Sequence, residues 1–240
     1  MKKKLRYHRV LVKLSGESLC SPGGHGIEAA PVAQMVKDFL AVAETGVQLA
    51  VVVGGGNIIR GQQLAEKLPI DRATADGMGM LGTVINALAL ADAMAGGGLS
   101  VRTMSAIAMG DVCEPFARRR AARHLEKGRV VILAGGTGNP FFTTDTCAAL
   151  RACQIGADAL FKATKVNGVF DADPVTNKNA KRYSRLSYQK VLDDKLGVMD
   201  LTAVLMCMQN QIPIVVFKMS EPGNFAAVIR GDDIGTTITR

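Results

Sequence analysis

Residues 129–156, "RVVILAGGTGNPFFTTDTCAALRACQIG", decide the fold. Five apolar residues after Arg129 lead straight into glycines and hydroxyl side chains, and these lead into a helical pattern. A continuously apolar run, rather than an alternating one, suits a strand buried on both faces of a parallel sheet. The joint is therefore a strand-to-helix turn. In open α/β sheets such turns, at the carboxyl ends of strands, are where ligands bind.

The same pattern recurs along the chain. "RVLVKL" (9–14), "QLAVVV" (48–53), "VRTM" (101–104), "ALFKA" (159–163) and "IPIVVF" (212–217) read as further strands. Helical patterns lie between them. "PVAQMVKDFLAVAETG" (31–46) spaces Val32, Met35, Val36, Phe39 and Leu40 on one face, with Pro31 at its start and Gly46 as a stop. "DRATADGMGMLGTVINALALADAM" (71–94) is a long helix, and "EPFARRRAARHLEKG" (114–128) an amphipathic one ended by Gly128. This alternation predicts an α/β protein with a mostly parallel sheet. The polar "DADPVTNKNAKRYSR" (171–185) reads as a long surface loop, and the chain as one domain of two lobes divided near residue 150.

Composition sets further bounds. The 240 residues carry a formal charge of +8, which fits a basic surface, a nucleic-acid partner or a highly anionic small substrate. Five cysteines are scattered without a CxxC, which suits a reducing cytoplasm and speaks against a disulfide framework or a zinc site. No stretch is expected to span a membrane, because Asp92 and then Gly96–Gly98 interrupt the most apolar window. The basic "MKKKLRYHRV" has no apolar run after it, so it is read as a solvated arm rather than a signal peptide.

Three strand ends carry the chemistry. "VKLSGES" (12–18) sets the Lys13 ammonium beside the free amides of Ser15 and Gly16. "VVVGGGNIIRG" (51–61) lets Gly55 and Gly56 approach an anion closely and adds the charge of Arg60. The third is the turn after "RVVIL". Three such ends converging would hold several phosphates. No GxxxxGK[ST] is present, so this is no P-loop. A GxGxxG, "GMGMLG" (77–82), lies inside a helical pattern and is read as close helix packing. A dinucleotide site built on Gly56 and Asp76 fails too, because Asp76 does not end a strand.

"KLSGE", "GGGNIIRG", "RATADGMGML", "GTGNPFFTTD" and "ATKVNGVFDADP", with "GVMDLTA" and the terminal "GTTIT", resemble the bacterial uridylate kinases of the amino acid kinase family. The resemblance covers essentially the whole chain. It implies a three-layer αβα fold, a cytoplasmic homohexamer and transfer of the γ-phosphoryl group of MgATP to UMP, in pyrimidine nucleotide biosynthesis. The segment 1–150 would form mainly the acceptor lobe with the catalytic lysine strand, and 151–240 mainly the ATP lobe. Motif by motif, Lys13, Arg60 and Asp145 would be catalytic, Asp145 orienting the lysine. Lys13, Ser15, Gly16, Gly56, Arg60, Thr164, Phe170 and Asp173 would hold ATP. Gly55, Asp76, Thr137, Gly138, Asn139, Pro140, Phe141, Phe142, Thr143 and Thr144 would hold UMP. No metal site of the protein's own is implied; Mg²⁺ would arrive with ATP.

The residue types suit this chemistry on their own terms. Phosphoryl transfer needs two anions aligned and the developing charge stabilised, more than covalent work from the protein. Lys13 and Arg60 offset repulsion between the anions, and helix amides add fixed donors. An attacking phosphate oxygen is already anionic near neutral pH, so no general base is needed. His8 and His124 are accordingly read as surface residues. His25 lies in the glycine-rich "SPGGHGI", where family members often carry an aromatic. Phe141 and Phe142 could stack on a ligand, seal it or belong to the core; "ARRRAAR" (117–123) reads as a solvated helix face.

Family members bind GTP as an activator between subunits, and Asp92 and Arg102 match two positions used there. Some carry a histidine three residues after that aspartate; here it is Ala95, followed by three glycines. Weak GTP activation is therefore expected, with UTP inhibition retained because UTP can compete at the uridine pocket. Carbamate, aspartate and acetylglutamate kinases share "KLSGE" and "GGGN" but not "GTGNPFFTTD". A nucleic-acid-binding regulator would need aromatics among its basic residues, and the chain has few aromatics and no Trp. No nucleic acid is required for catalysis.

Overall fold

A computed structural model describes residues 5–61, 66, 68–172, 174 and 176–240. Among them the strands are β1 (Arg9–Leu14), β2 (Gln48–Val53), β3 (Val101–Ser105), β4 (Glu114–Pro115), β5 (Val130–Ala134), β6 (Ala159–Thr164), β7 (Val169–Phe170), β8 (Arg182–Tyr183), β9 (Arg185–Ser187), β10 (Ile214–Lys218) and β11 (Thr236–Thr239). The helices are α1 (Ala29–Ala43), α2 (Arg72–Gly96), α3 (Arg118–Glu126), α4 (Thr144–Ile155), α5 (Tyr188–Asp193), α6 (Leu201–Gln209) and α7 (Asn224–Arg230). A single 3₁₀ turn, Gly16–Leu19, follows β1.

Nine strands make one sheet in the order β4-β3-β5-β2-β1-β6-β10-β11-β9. All neighbours are parallel except β10 and β11. The apolar strand runs explain the layering, since alternate residues feed opposite cores. Val10, Val12 and Leu14 pack with Val51, Val53 and residues of α1, α2 and α7 on one face. Leu11, Ala50 and Val52 pack with residues of α3, α4, α5 and α6 on the other. This is the three-layer αβα architecture, with each predicted strand in place.

The sheet reverses its winding at β1. Strands β2 to β5 lie on one side of it and β6, β10, β11 and β9 on the other. The chain leaves β5, crosses over β2 and β1 as α4, and re-enters the sheet at β6 beside β1. The carboxyl ends of β1 and β6 thus meet at a topological switch point, beneath the start of α4. Clefts form at such points because neighbouring connections run to opposite sides.

Three expectations need correction. Helix α2 runs on through Asp92 to Gly96, and an 18-residue window of it reaches a mean hydropathy of 1.5, long and apolar enough to cross a membrane by length and composition. Only 39% of that window is buried: one side packs on β2, β3 and β5, while Leu81, Ile85 and Leu88 face outward. An aspartate one residue wide does not stop a helix whose exposed side can solvate it. Second, the surface loop 171–185 is interrupted by β8, which pairs antiparallel with β7 through Val169–Tyr183 and Phe170–Arg182. Third, His124 is largely covered, its side chain 12% exposed, because α3 turns it toward Glu114 at 3.1 Å and Arg129 at 2.9 Å. His8 is exposed, and so are Arg118, Arg119, Arg120 and Arg123.

Candidate active site

Thr143 begins the site. Its hydroxyl oxygen caps α4 by accepting from the amides of Asp145 and Thr146 at 3.1 and 3.2 Å. The same hydroxyl donates to Asp200, and Thr146 donates to the other oxygen of Asp200 at 2.8 Å. Asp200 in turn caps α6 through the Ala203 amide at 2.8 Å. The first turn of α4 is therefore pinned from two sides, and Asp145 sits in it.

Asp145 bridges two lysines. Its Oδ1 lies 2.9 Å from Lys13 Nζ and its Oδ2 2.8 Å from Lys162 Nζ. Lys13 and Lys162 are direct partners in the β1–β6 register, so both ammonium groups rise from adjacent strand ends. Lys162 also donates to the Val198 carbonyl. Burial pushes the Asp145 carboxyl up, but Lys13 and Lys162 together outweigh it and hold the group below the usual carboxylate range. Burial pulls the Lys162 ammonium down, and Asp145 resists that pull. With both lysines charged the cluster carries net charge +1, which suits it to an anion. Cys147, close by on α4, is no candidate nucleophile, since burial pushes its thiol up to about 11.

The turn after β5 stands beside this cluster. It leaves β5 through Gly135 and Gly136, both at positive φ, and Gly138 does the same. The Gly135 amide donates to Thr83 of α2 at 2.8 Å, and Thr137 Oγ1 accepts from the Asn139 amide at 3.1 Å. Phe141, at φ 69°, has its amide bonded to Asp76 Oδ2 at 2.9 Å. Both phenylalanines are open to solvent, Phe141 at 68% and Phe142 at 52%, so the core reading of them is wrong. A turn with no room for side chains at its base has to present them outward. Asp76 also takes two 3.0 Å bonds from Arg72 Nε. It ties the turn after β5 to the start of α2.

The glycine turn completes the floor. A Cβ on Gly16 would fall 2.7 Å from the Gly54 carbonyl, and one on Gly55 would fall 2.6 Å from the Gly79 carbonyl, so neither position tolerates a side chain. Of the three glycines read as helix packing, Gly82 lies against the turn, its Cβ position 3.3 Å from the Gly55 carbonyl, whereas a Cβ on Gly77 or Gly79 would meet nothing within 4 Å, so the packing reading holds for Gly82 alone. Arg60 reaches Glu17, and Glu17 also pairs with Lys165 at 2.9 Å. Those cations hold Glu17 below its usual range, Lys165 most strongly. A cavity of about 630 Å³ opens here, lined by Glu17, His25, Gly56, Arg60, Met78 and Lys165 among others.

A second cavity, about 440 Å³, is lined by Lys162, Thr164, Phe170, Val198 and Val216 among others. Ser15 is half-buried at the start of the 3₁₀ turn. Asp173 lies outside the described residues. Asp92 is exposed on α2, while Arg102 on β3 pairs with Glu114 at 3.7 Å. Among the described residues no cluster of three or more His, Cys, Asp or Glu could hold a metal ion.

Sequence reasoning missed Lys162, Asp200 and Glu17. Lys162 had one available signal: a lysine inside the apolar run "ALFKA" needs a counter-charge once the strand is buried.

Comparison with known proteins agrees with this geometry. The chain is 54% identical over 238 residues, 99% of its length and 98% of the relative's, to a uridylate kinase of Zymomonas mobilis. Its structure resembles the UMP kinase of Bacillus anthracis at a TM-score of 0.94 and 39% identity, over 97% of this chain and 96% of the other. It resembles the UMP kinase of Ureaplasma parvum at 0.91 and 32%, over 98% and 100%, and the uridylate kinase of Archaeoglobus fulgidus at 0.75 and 29%, over 96% and 99%. The sequence profile of the amino acid kinase family matches residues 8–218. With that span matched and a parallel sheet closing on a lysine–aspartate–lysine cluster, this chain belongs to the amino acid kinase family.

Proposed function

We infer that this protein is an ATP:UMP phosphotransferase, passing the γ-phosphoryl group of MgATP to UMP to give UDP and ADP. The observation that carries this is the single joint at residues 137–145. There the acceptor turn and the carboxylate that bridges Lys13 and Lys162 are consecutive in the chain. Full-length similarity to uridylate kinases supports it.

Lys13 and Lys162 stabilise charge on the transferring group, and Asp145 sets their positions. Arg60 exchanges Glu17 for phosphate oxygens. Ser15, Gly16 and Gly56 hold the ATP phosphates, and Thr164, Phe170 and Asp173 the adenine nucleotide. Gly55, Thr137, Gly138, Asn139, Pro140, Phe141, Phe142, Thr143 and Thr144 hold UMP, with Asp76 keeping their turn in shape. Magnesium enters as MgATP. A UMP phosphate oxygen is already anionic, so it attacks the γ-phosphorus directly, in line, with no covalent intermediate. The protein supplies alignment and electrostatics. Residues 1–150 serve mainly the acceptor and 151–240 mainly ATP, which the reversal of strand order at β1 supports.

The outward apolar residues Leu81, Ile85 and Leu88 of α2 support assembly with further copies, in the proposed homohexamer. Five free cysteines suit a cytoplasmic setting, and conversion of UMP to UDP is a step of pyrimidine nucleotide biosynthesis. GTP activates weakly at a site that includes Asp92 and Arg102, and UTP inhibits at the uridine pocket. A coupled ADP-release assay with MgATP and, separately, UMP, CMP, dTMP, aspartate and carbamate tests the function. UMP should be preferred by a wide margin; equal turnover of CMP or of an amino acid would contradict it.

A further inference from the structure

Two asparagines outside the nucleotide assignments form a buried, reciprocal amide pair. Asn57 closes the glycine turn at 3% exposure, and Asn86, midway along α2, has 0%. Asn86 Nδ2 donates to Asn57 Oδ1 at 2.6 Å, and Asn57 Nδ2 donates to Asn86 Oδ1 at 3.1 Å. Each amide also sends a bond outside the pair. Asn86 donates to the Gly54 carbonyl at 2.7 Å and Asn57 to the Gly26 carbonyl at 2.6 Å. Both amide orientations follow from their partners, because a carbonyl can only accept. The Gly26 amide returns a bond to the Asn57 carbonyl at 2.9 Å. A Cβ on Gly16 would lie 2.3 Å from Asn57 Oδ1, so the pair also abuts the turn that follows Lys13.

An asparagine within the apolar "VINALAL" of a packed helix is costly unless its groups are paired, and a leucine would fill the same core at less cost. What an apolar residue cannot do is hold a chosen carbonyl at a chosen distance. We propose that Asn86, acting with Asn57, is a positioning residue that locks the Gly54–Asn57 turn, the Gly26 loop and the Gly16 turn into one register for phosphoryl transfer. The proposal rests on the UMP kinase function above. Gly55 and Gly56 on the locked turn face the two nucleotides, and Arg60 follows four residues after Gly56. Asn86 is fully buried and has no surface to offer a nucleotide. Its loss therefore disturbs alignment between the substrates more than the binding of either.

The test uses Asn86→Ala and Asn86→Asp in the full chain. Three quantities are read: kcat and both KM values with UMP and MgATP, thermal unfolding, and hydrogen exchange by mass spectrometry. A misplacement near 1 Å costs on the order of 10²-fold, so kcat should fall about 10- to 100-fold. Both KM values should stay within about threefold of the unmodified protein. Exchange should rise in segments 20–28 and 54–60 and stay unchanged in α6. A folded variant with unaltered kcat would overturn the proposal. So would a loss confined to KM, or exchange rising evenly through the molecule. Failure of both variants to fold would overturn it as well, by making the pair a requirement of folding rather than of alignment. An unmodified protein inactive on UMP would refute the assigned function alone, and the exchange pattern would still test the brace.

Discussion

Replacing Asp145 by asparagine preserves the side chain's shape and removes its charge. In the native site that charge lies 2.9 Å from Lys13 Nζ and 2.8 Å from Lys162 Nζ, with all three side chains 14–15% exposed. The two lysines are register partners on adjacent strands, which sets their backbones about 5 Å apart. At an effective dielectric of about 20, two like charges at about that separation repel by roughly 3 kcal/mol. Without the carboxylate, only the weaker pull of Asp200 and the Val198 carbonyl favours charge on Lys162. Part of the repulsion is relieved by splaying the ammonium groups and part by shedding a proton. Burial already holds Lys162 below its ordinary value and Asp145 opposes that shift, so the variant's lysine deprotonates at lower pH still. Two consequences follow for the variant. Its kcat should fall on the order of 10²–10³-fold, the usual loss when one preorganised electrostatic contact is misplaced. The alkaline limb of its kcat profile should move to lower pH. Stability carries a matching sign. The native Asp145 pKa is below its ordinary 3.8, so its contribution is fully present above that value and is lost as pH falls through the folded value. The stability gap between native protein and variant should therefore narrow in acid. Steady-state kcat across pH 6 to 10, with thermal unfolding at pH 7 and in acid, reads all of this. A folded Asp145→Asn protein with kcat within about threefold of native and an unmoved alkaline limb would refute the bridging role.

Other perturbations separate the remaining roles. Lys13→Ala should lower kcat on the order of 10²–10³-fold in a folded protein; a raised KM at full kcat would make Lys13 a binding residue only. Asp76→Asn should weaken UMP binding by about tenfold with ATP binding little changed, because a neutral oxygen replaces a charged acceptor on the Phe141 amide. Separate titrations check this, and equal losses for both nucleotides would rule out an acceptor-side role. GTP should stimulate initial rates at sub-saturating UMP only weakly, since Ala95 offers no hydrogen bond or ring and three glycines make the helix end costly to order. A large stimulation would show that these residues do not matter.

The parts of this molecule that were legible in the sequence are those whose cause is local. Mostly apolar runs announce strands buried on both sides, and each of the six runs contributes a strand to the sheet. Glycines after "VVV" and "RVVILA" announce turns that must approach something closely, and the spaces beside Gly55 and Gly135 bear that out. What stayed hidden depends on register and on partners distant in the chain. Lys162 looks like a solvent-facing interruption of a short strand until β6 is aligned with β1 and it falls opposite Lys13. Asn86 looks like an ordinary polar residue on a long helix until α2 is laid against the Gly54 turn. Asp76 enters only as a UMP-holding residue implied by the family motif, and its bonds to Phe141 and Arg72 reveal its contact with the turn after β5. His124 reads as a surface residue because the pairing of Glu114 on β4 with α3 leaves no trace in helical spacing.

The central claim is a direct transfer of one phosphoryl group between two nucleotides. ATP labelled on the γ-phosphate, incubated with magnesium, UMP and the unmodified protein, tests it most directly. The label should appear in UDP, one equivalent for each ADP formed, with none left on the protein after rapid quenching and denaturation. Label recovered as inorganic phosphate, on an acceptor other than UMP, or bound covalently to the chain would contradict the account.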